Sequence, residues 1–116
     1  MISIESPNGY IEISYDYFSY LIGYAASSCY GVAGMAASDK VHGLTERFFQ
    51  DKLNRGVKVW RVSGKLFIDL HIIVSYGVNI TVIVKSIIKK VRYTVEEATG
   101  LKVYCVNVFV DDMKPE

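Results

Sequence analysis

The amino-acid pattern predicts an α+β domain, a mostly antiparallel sheet backed by helices, with the element order β-α-β-α-β-β-α-β. Three observations carry that prediction. Apolar residues switch repeatedly between a two-residue and a 3.6-residue period. Glycines stand where the period switches, at Gly31, Gly77 and Gly100. The 116 residues are 51% hydrophobic and 22% charged, the balance of an ordinary globular chain long enough for one core.

Residues 1–9, ending Pro7-Asn8-Gly9, read as a flexible arm. From Tyr10 to Ser14, Ile11 and Ile13 alternate with polar residues, as a half-buried strand requires. Phe18, Leu21, Ile22, Ala25, Ala26 and Cys29 then line one face of a helix, with Asp16 suited as its cap or first-turn acid and Gly31 as its stop. Val32 to Ala36 is a short strand. Asp39 to Asn54 reads as a second helix, with Val41, Leu44 and Phe48 along one side. Val57–Val62 and Leu66–Tyr76 are strands joined at Ser63-Gly64, a compact hairpin signal. Asn79 is placed to cap a last helix, whose stripe is Ile80, Ile83, Val84, Ile87, Val91, Val95 and Ala98. Gly100 closes it, Leu101–Val110 is the final strand, and residues 111–116 form a polar tail. Residues 10–110 are thus one domain, without repeats or linkers.

Thirteen Lys+Arg against twelve Asp+Glu leave a net charge of +1, which supplies no general attraction to nucleic acid or anionic lipid. Polar residues interrupt the most apolar stretch, Leu66 to Val84, so no membrane span is expected, and no signal peptide is visible. Two cysteines without paired spacing, Cys29 and Cys105, read as reduced thiols of a cytoplasmic protein.

No catalytic, metal or cofactor-binding residues emerge. Asp69-x-His71 could orient an imidazole, but no serine in a nucleophile elbow accompanies it, and a solvent-side pair is the simpler reading. The other histidine, His42, lies on the second helix, and neither histidine has metal-ligand spacing. Gly31-Val32-Ala33-Gly34 runs from helix into strand, the reverse of a phosphate-binding loop. Lys85, Lys89 and Arg92 form a basic stripe that single-stranded RNA could use, though Glu96 dilutes it.

Three segments together are more specific. They are Ile11-x-Ile13 with the alanine-bearing helix and Gly31-Val32-Ala33-Gly34-Met35; Gly56-Val57-Lys58-Val59 with Ile68 to Gly77; and Asn79-Ile80, Val95-Glu96, Thr99-Gly100-Leu101 and Val106 to Val110. In this order they resemble the alkaline-shock-protein family of Gram-positive bacteria, also called the envelope stress response family, in its short single-domain branch. The resemblance implies a cytoplasmic α+β domain that self-associates or docks on partners, including a membrane-embedded protein. It implies no catalytic residue and, more weakly, a regulatory link to a lipid-metabolic enzyme such as a fatty-acid kinase. Gly31, Gly77, Asn79, Gly100 and Asn107 are its structural motif positions, each explicable by a turn, a cap or a backbone contact.

One expectation concerns surfaces. If Leu66, Ile68, Leu70, Ile72 and Val74 face the helices, Phe67, Asp69, His71, Ile73 and Ser75 face away. The last strand alternates Tyr104, Val106, Val108 and Val110 with Val103, Cys105 and Phe109, and is apolar on both sides. A sheet with one wet face alternates apolar with polar, so a cover is needed. The helix from Asp39 to Asn54 is one candidate; a second subunit centred on Phe67, Ile73 and Phe109 is the favoured one.

Overall fold

A computed structural model describes residues 1–36 and 56–115. In chain order the elements are β1 (Ile2–Ser6), β2 (Gly9–Ile13), α1 (Tyr15–Ser27), β3 (Val32–Met35), β4 (Val57–Val62), β5 (Lys65–Ser75), α2 (Ile80–Thr99) and β6 (Lys102–Lys114). The α+β class and the expected order hold across them. The helix expected at Asp39–Asn54, with His42, lies outside the described residues.

β5 organises the sheet because it is long and apolar enough to pair along both edges. On one edge β6 runs parallel to it from Lys65 to Ser75. The other edge is shared end to end by antiparallel β4, against Leu70 to Lys65, and antiparallel β3, against Val74 to Ile72. The two meet at His71, whose carbonyl accepts from Ala36 N–H and whose N–H donates to the Gly56 carbonyl. Ala36 and Gly56 therefore both meet the sheet at one residue of β5.

Alternation places Leu66, Ile68, Leu70 and Ile72 wholly inside, beneath α1 and α2. From α1 come Phe18, Ile22, Ala25 and Ala26; from α2 come Ile83, Ile87, Val91 and Val95. Ile80, Val84 and Ala98 of the expected α2 stripe lie outside this core, Ile80 and Ala98 exposed and Val84 half-buried, because the inward face is the narrower row Ile83, Ile87, Val91 and Val95. Leu21 and Cys29 of the α1 stripe are half-buried.

Three boundaries differ from expectation. The N-terminal arm is a strand: β1 pairs antiparallel with β2, Ile2 opposite Ile13, and Ile2 enters the core while Ile11 stays exposed. Ile2, with half-buried Ile4 and Ile13 packed against the core, anchors a segment whose polar residues suggest disorder. Residues 111–114 of the expected tail belong to β6, held by β5. Helix α1 is capped by Ser14, whose Oγ accepts from Tyr17 N–H at 3.1 Å, and ends at Ser27. Gly31 serves the turn into β3 instead of stopping the helix itself.

Candidate functional site

The sheet has a second face, and the pairing registers show what stands on it. Ser63 and Gly64, at φ of 52° and 80°, make a two-residue hairpin turn that sets Val62 against Lys65 and Trp60 against Phe67. The Trp60 and Phe67 rings stack with centroids 5.7 Å apart, and Tyr104 continues the row, 5.1 Å from Phe67. Lys65 Nζ lies 4.9 Å over the Tyr104 ring. In the next row Lys58 faces Asp69 across β4–β5, and Asn107 Nδ2 donates to Asp69 Oδ1 at 2.9 Å. Beyond it His71 stacks on Phe109 at 4.7 Å, and its Nδ1 is 2.9 Å from Asp111 Oδ2. Ile73, with Asp112 opposite, completes the face.

Two bulges in β6 fix this display. Leu66 pairs with Val103 but Phe67 with Cys105, which leaves Tyr104 as an extra residue. The Val103 N–H donates to Glu96 Oε2 at 2.9 Å, and its carbonyl accepts from Arg92 Nη1 at 2.6 Å. Two side chains of α2 thus satisfy the backbone that the bulge frees. The second bulge, at Asp111, brings that carboxylate to His71.

The structure places Phe67, Ile73 and Phe109 together on the outer face, Phe109 exposed and the other two half-buried. It corrects the expected alternation of β6: Val103 lies buried with Val106 on the helix side, while Tyr104 is exposed. Asp69 and His71 share the face but not a bond, since Asn107 takes the first and Asp111 the second. Asn107 thus pairs with a side chain, where backbone is expected. Among the described residues the His71 ring meets an acid and an aromatic ring, and no serine or cysteine hydrogen-bonds to it.

The basic stripe is less available than its sequence suggests. Arg92 is half-buried and spent on Val103, while Lys85 and Lys89 flank an open groove of about 740 Å³ along α2. Asn79 caps α2 as expected, accepting from Val82 N–H at 3.2 Å, and Gly100 takes φ of 75°. Gly31 and Gly77 also have positive φ. No group of three His, Cys, Asp or Glu side chains gathers as metal ligands among the described residues.

Sequence reasoning alone does not single out Trp60, Tyr104 as an aromatic neighbour of Phe67, or Asp111. The hairpin signal at Ser63-Gly64 is enough to put Trp60 opposite Phe67; nothing local announces the two bulges. A broader signal is that all nine tyrosines are exposed, three of them, Tyr17, Tyr20 and Tyr24, on one face of α1. Tyrosine is usually at least partly buried, and its enrichment on a surface is characteristic of protein-binding patches.

Comparison with known proteins finds one family model and several relatives. The model of the alkaline shock protein 23 family, described as having a cell envelope-related function, matches residues 3–115. The chain is 37% identical over 114 residues to the uncharacterized protein YloU of Bacillus subtilis, covering 97% of this chain and 95% of that one. It is 29% identical over 114 residues to the uncharacterized protein Spy1614 of Streptococcus pyogenes, covering 97% and 94%. It is 30% identical over 102 residues to the uncharacterized protein YqhY of Bacillus subtilis, covering 88% and 75%. No solved structure matches the chain.

Proposed function

The chain belongs to the alkaline shock protein 23 family, whose function is related to the cell envelope, and from that premise we propose that it is a non-enzymatic scaffold or adaptor acting by self-association and protein–protein binding. The observation that carries the reading is the outer sheet face. It presents Trp60, Phe67, Tyr104, His71 and Phe109 as two groups of touching rings on a rigid sheet. Aromatic side chains on a preformed surface supply binding energy at small entropic cost, the property of an interface centre and not of a solvated face.

The reading includes a place in the cytoplasm, free or docked on a membrane-embedded partner. No helix among the described residues is long and apolar enough to cross a membrane. The test is light scattering of the wild type and Phe67→Glu, with crosslinked affinity purification of both from native cells. The expected result is an assembly and a bound partner set that depend on Phe67. A wild type that is monomeric and captures the same proteins as Phe67→Glu would overturn the reading.

A further inference from the structure

The outer face is electrically lopsided along its strands. Lys65 and Lys102 stand opposite each other at the hairpin end, while Lys58 stands midway, opposite Asp69. Towards the other end come Asp111 and then Asp112, the latter opposite Ile73. Eight residues of β5 separate the Lys65 row from the Ile73 row, roughly 26 Å of strand. Between these ends lie the two aromatic groups, one on each side of the Asp69–Asn107 pair.

We propose that a second copy of this chain covers this face with its strands reversed, so that the lysine end of each copy lies over the aspartate end of the other. The proposal rests on the self-association reading above and adds the occupant and its orientation. Two identical sheets packed face to face are related by a two-fold axis in the plane between them. An axis along the strands would set lysines on lysines and aspartates on aspartates. An axis across the strands reverses the second copy and brings Lys102 and Lys65 over the other copy's Asp112 and Asp111, twice by symmetry.

The same reversal matches the rings. With the Asp69–Asn107 row at the axis, the Trp60–Phe67–Tyr104 group of each copy falls on the His71–Phe109 group of the other. Sheets packed about 10 Å apart let such side chains interdigitate. Asp69, nearest the axis, has the Asn107 amide and cross-strand Lys58 of its own copy beside it. Lys114, opposite Ser75, projects beyond the Lys65 row in this overlay. The tyrosines of α1 remain outward for other proteins.

Three strands by eleven residues give a flat footprint of roughly 500 Å² per copy, below the approximately 800 Å² of a standard interface. The dimer is therefore expected in the micromolar range and to weaken with salt.

Sedimentation velocity of the full chain across that range tests the arrangement, with wild type, Lys102→Glu, Asp112→Lys and an equimolar mixture of the two variants. Both substitutions change exposed side chains, and circular dichroism checks their folding. The expected result is a dimeric wild type, each variant at least about tenfold weaker, and a mixture that recovers dimer. In the mixed pair the introduced carboxylate of one variant meets the introduced ammonium of the other, while the unchanged Lys102 and Asp112 meet at the symmetry-related contact. Variants that dimerise like the parent, or a mixture no better than its parts, would overturn the orientation while leaving self-association standing. A monomeric wild type would overturn both. So would a monomer whose outer face takes up a labelled single-stranded oligonucleotide in a Phe67-dependent way, since the rings would then be stacking bases.

Discussion

Replacing Gly56 by alanine should destabilise this protein more than the same change at any other described glycine with positive φ except Gly31. Gly56 opens β4 where the chain rejoins the sheet, at φ of 75°. A Cβ there would collide with the Ala36 carbonyl oxygen and lie 2.8 Å from the His71 carbonyl oxygen. Both are backbone atoms, and His71 is the residue that ties β3 and β4 to β5. Two costs therefore add. A left-handed conformation costs an L-residue roughly 1–2 kcal/mol. Relieving the clash means lengthening the hydrogen bonds at His71, each worth about 1 kcal/mol net and more if a buried group is left unpaired. A total of about 3–5 kcal/mol follows, a large part of a typical stability of about 5–15 kcal/mol. Gly77 and Gly100 have similar φ but open space at the Cβ position, so alanine there isolates the conformational cost. Urea denaturation of the three variants measures the difference. Equal losses at Gly56 and Gly100 would refute the argument that backbone crowding at His71 sets the junction.

Ile87 is fully buried beneath the sheet, so Ile87→Asp should cost several kcal/mol and leave the chain largely unfolded by circular dichroism. Gly100→Val should lose more stability in thermal melts than helix propensity accounts for, because valine is poorly suited to the left-handed cap that Gly100 adopts. Asn79→Ala should cost about 1 kcal/mol, the usual value of an N-cap side chain. His71→Ala should fold but associate more weakly in sedimentation velocity, because it removes one ring of the outer-face group; a folded His71→Ala protein that associates like the parent yet has a null phenotype would restore a chemical role to the His71–Asp111 pair.

Where the sequence is readable, one local cause decides the outcome. Val57–Val62 and the capped helix from Asn79 to Gly100 match expectation, because strand alternation, an N-cap and a glycine stop each act over a few residues. The start of α1 is less legible: the sequence points to Asp16, and only the backbone makes Ser14, expected at the end of a strand, the cap. β1 is hidden because its order depends on pairing with β2 and on a core that receives Ile2, both tertiary facts. The outer face is half legible. Period-two alternation along β5 assigns Phe67, Asp69, His71 and Ile73 correctly, and it fails on β6.

That failure bears on function. Had β6 been regular, pairing from Val103 would have turned Tyr104 outward, Cys105 inward and Val106 outward, and would have turned Asp111 inward. The extra residue at Tyr104 keeps Val103 and Val106 both buried and leaves Tyr104 free to extend the Trp60–Phe67 row. The extra residue at Asp111 lets Asp111 reach His71 while Asp112 stands opposite Ile73 on the same face. Each bulge breaks the hydrogen-bond ladder locally. The first is offset by Arg92 and Glu96, which occupy the freed Val103 peptide groups. The second gains the contact between His71 and Asp111. The first bulge therefore keeps the valines beneath in place, and the second sets both aspartates on the outer face.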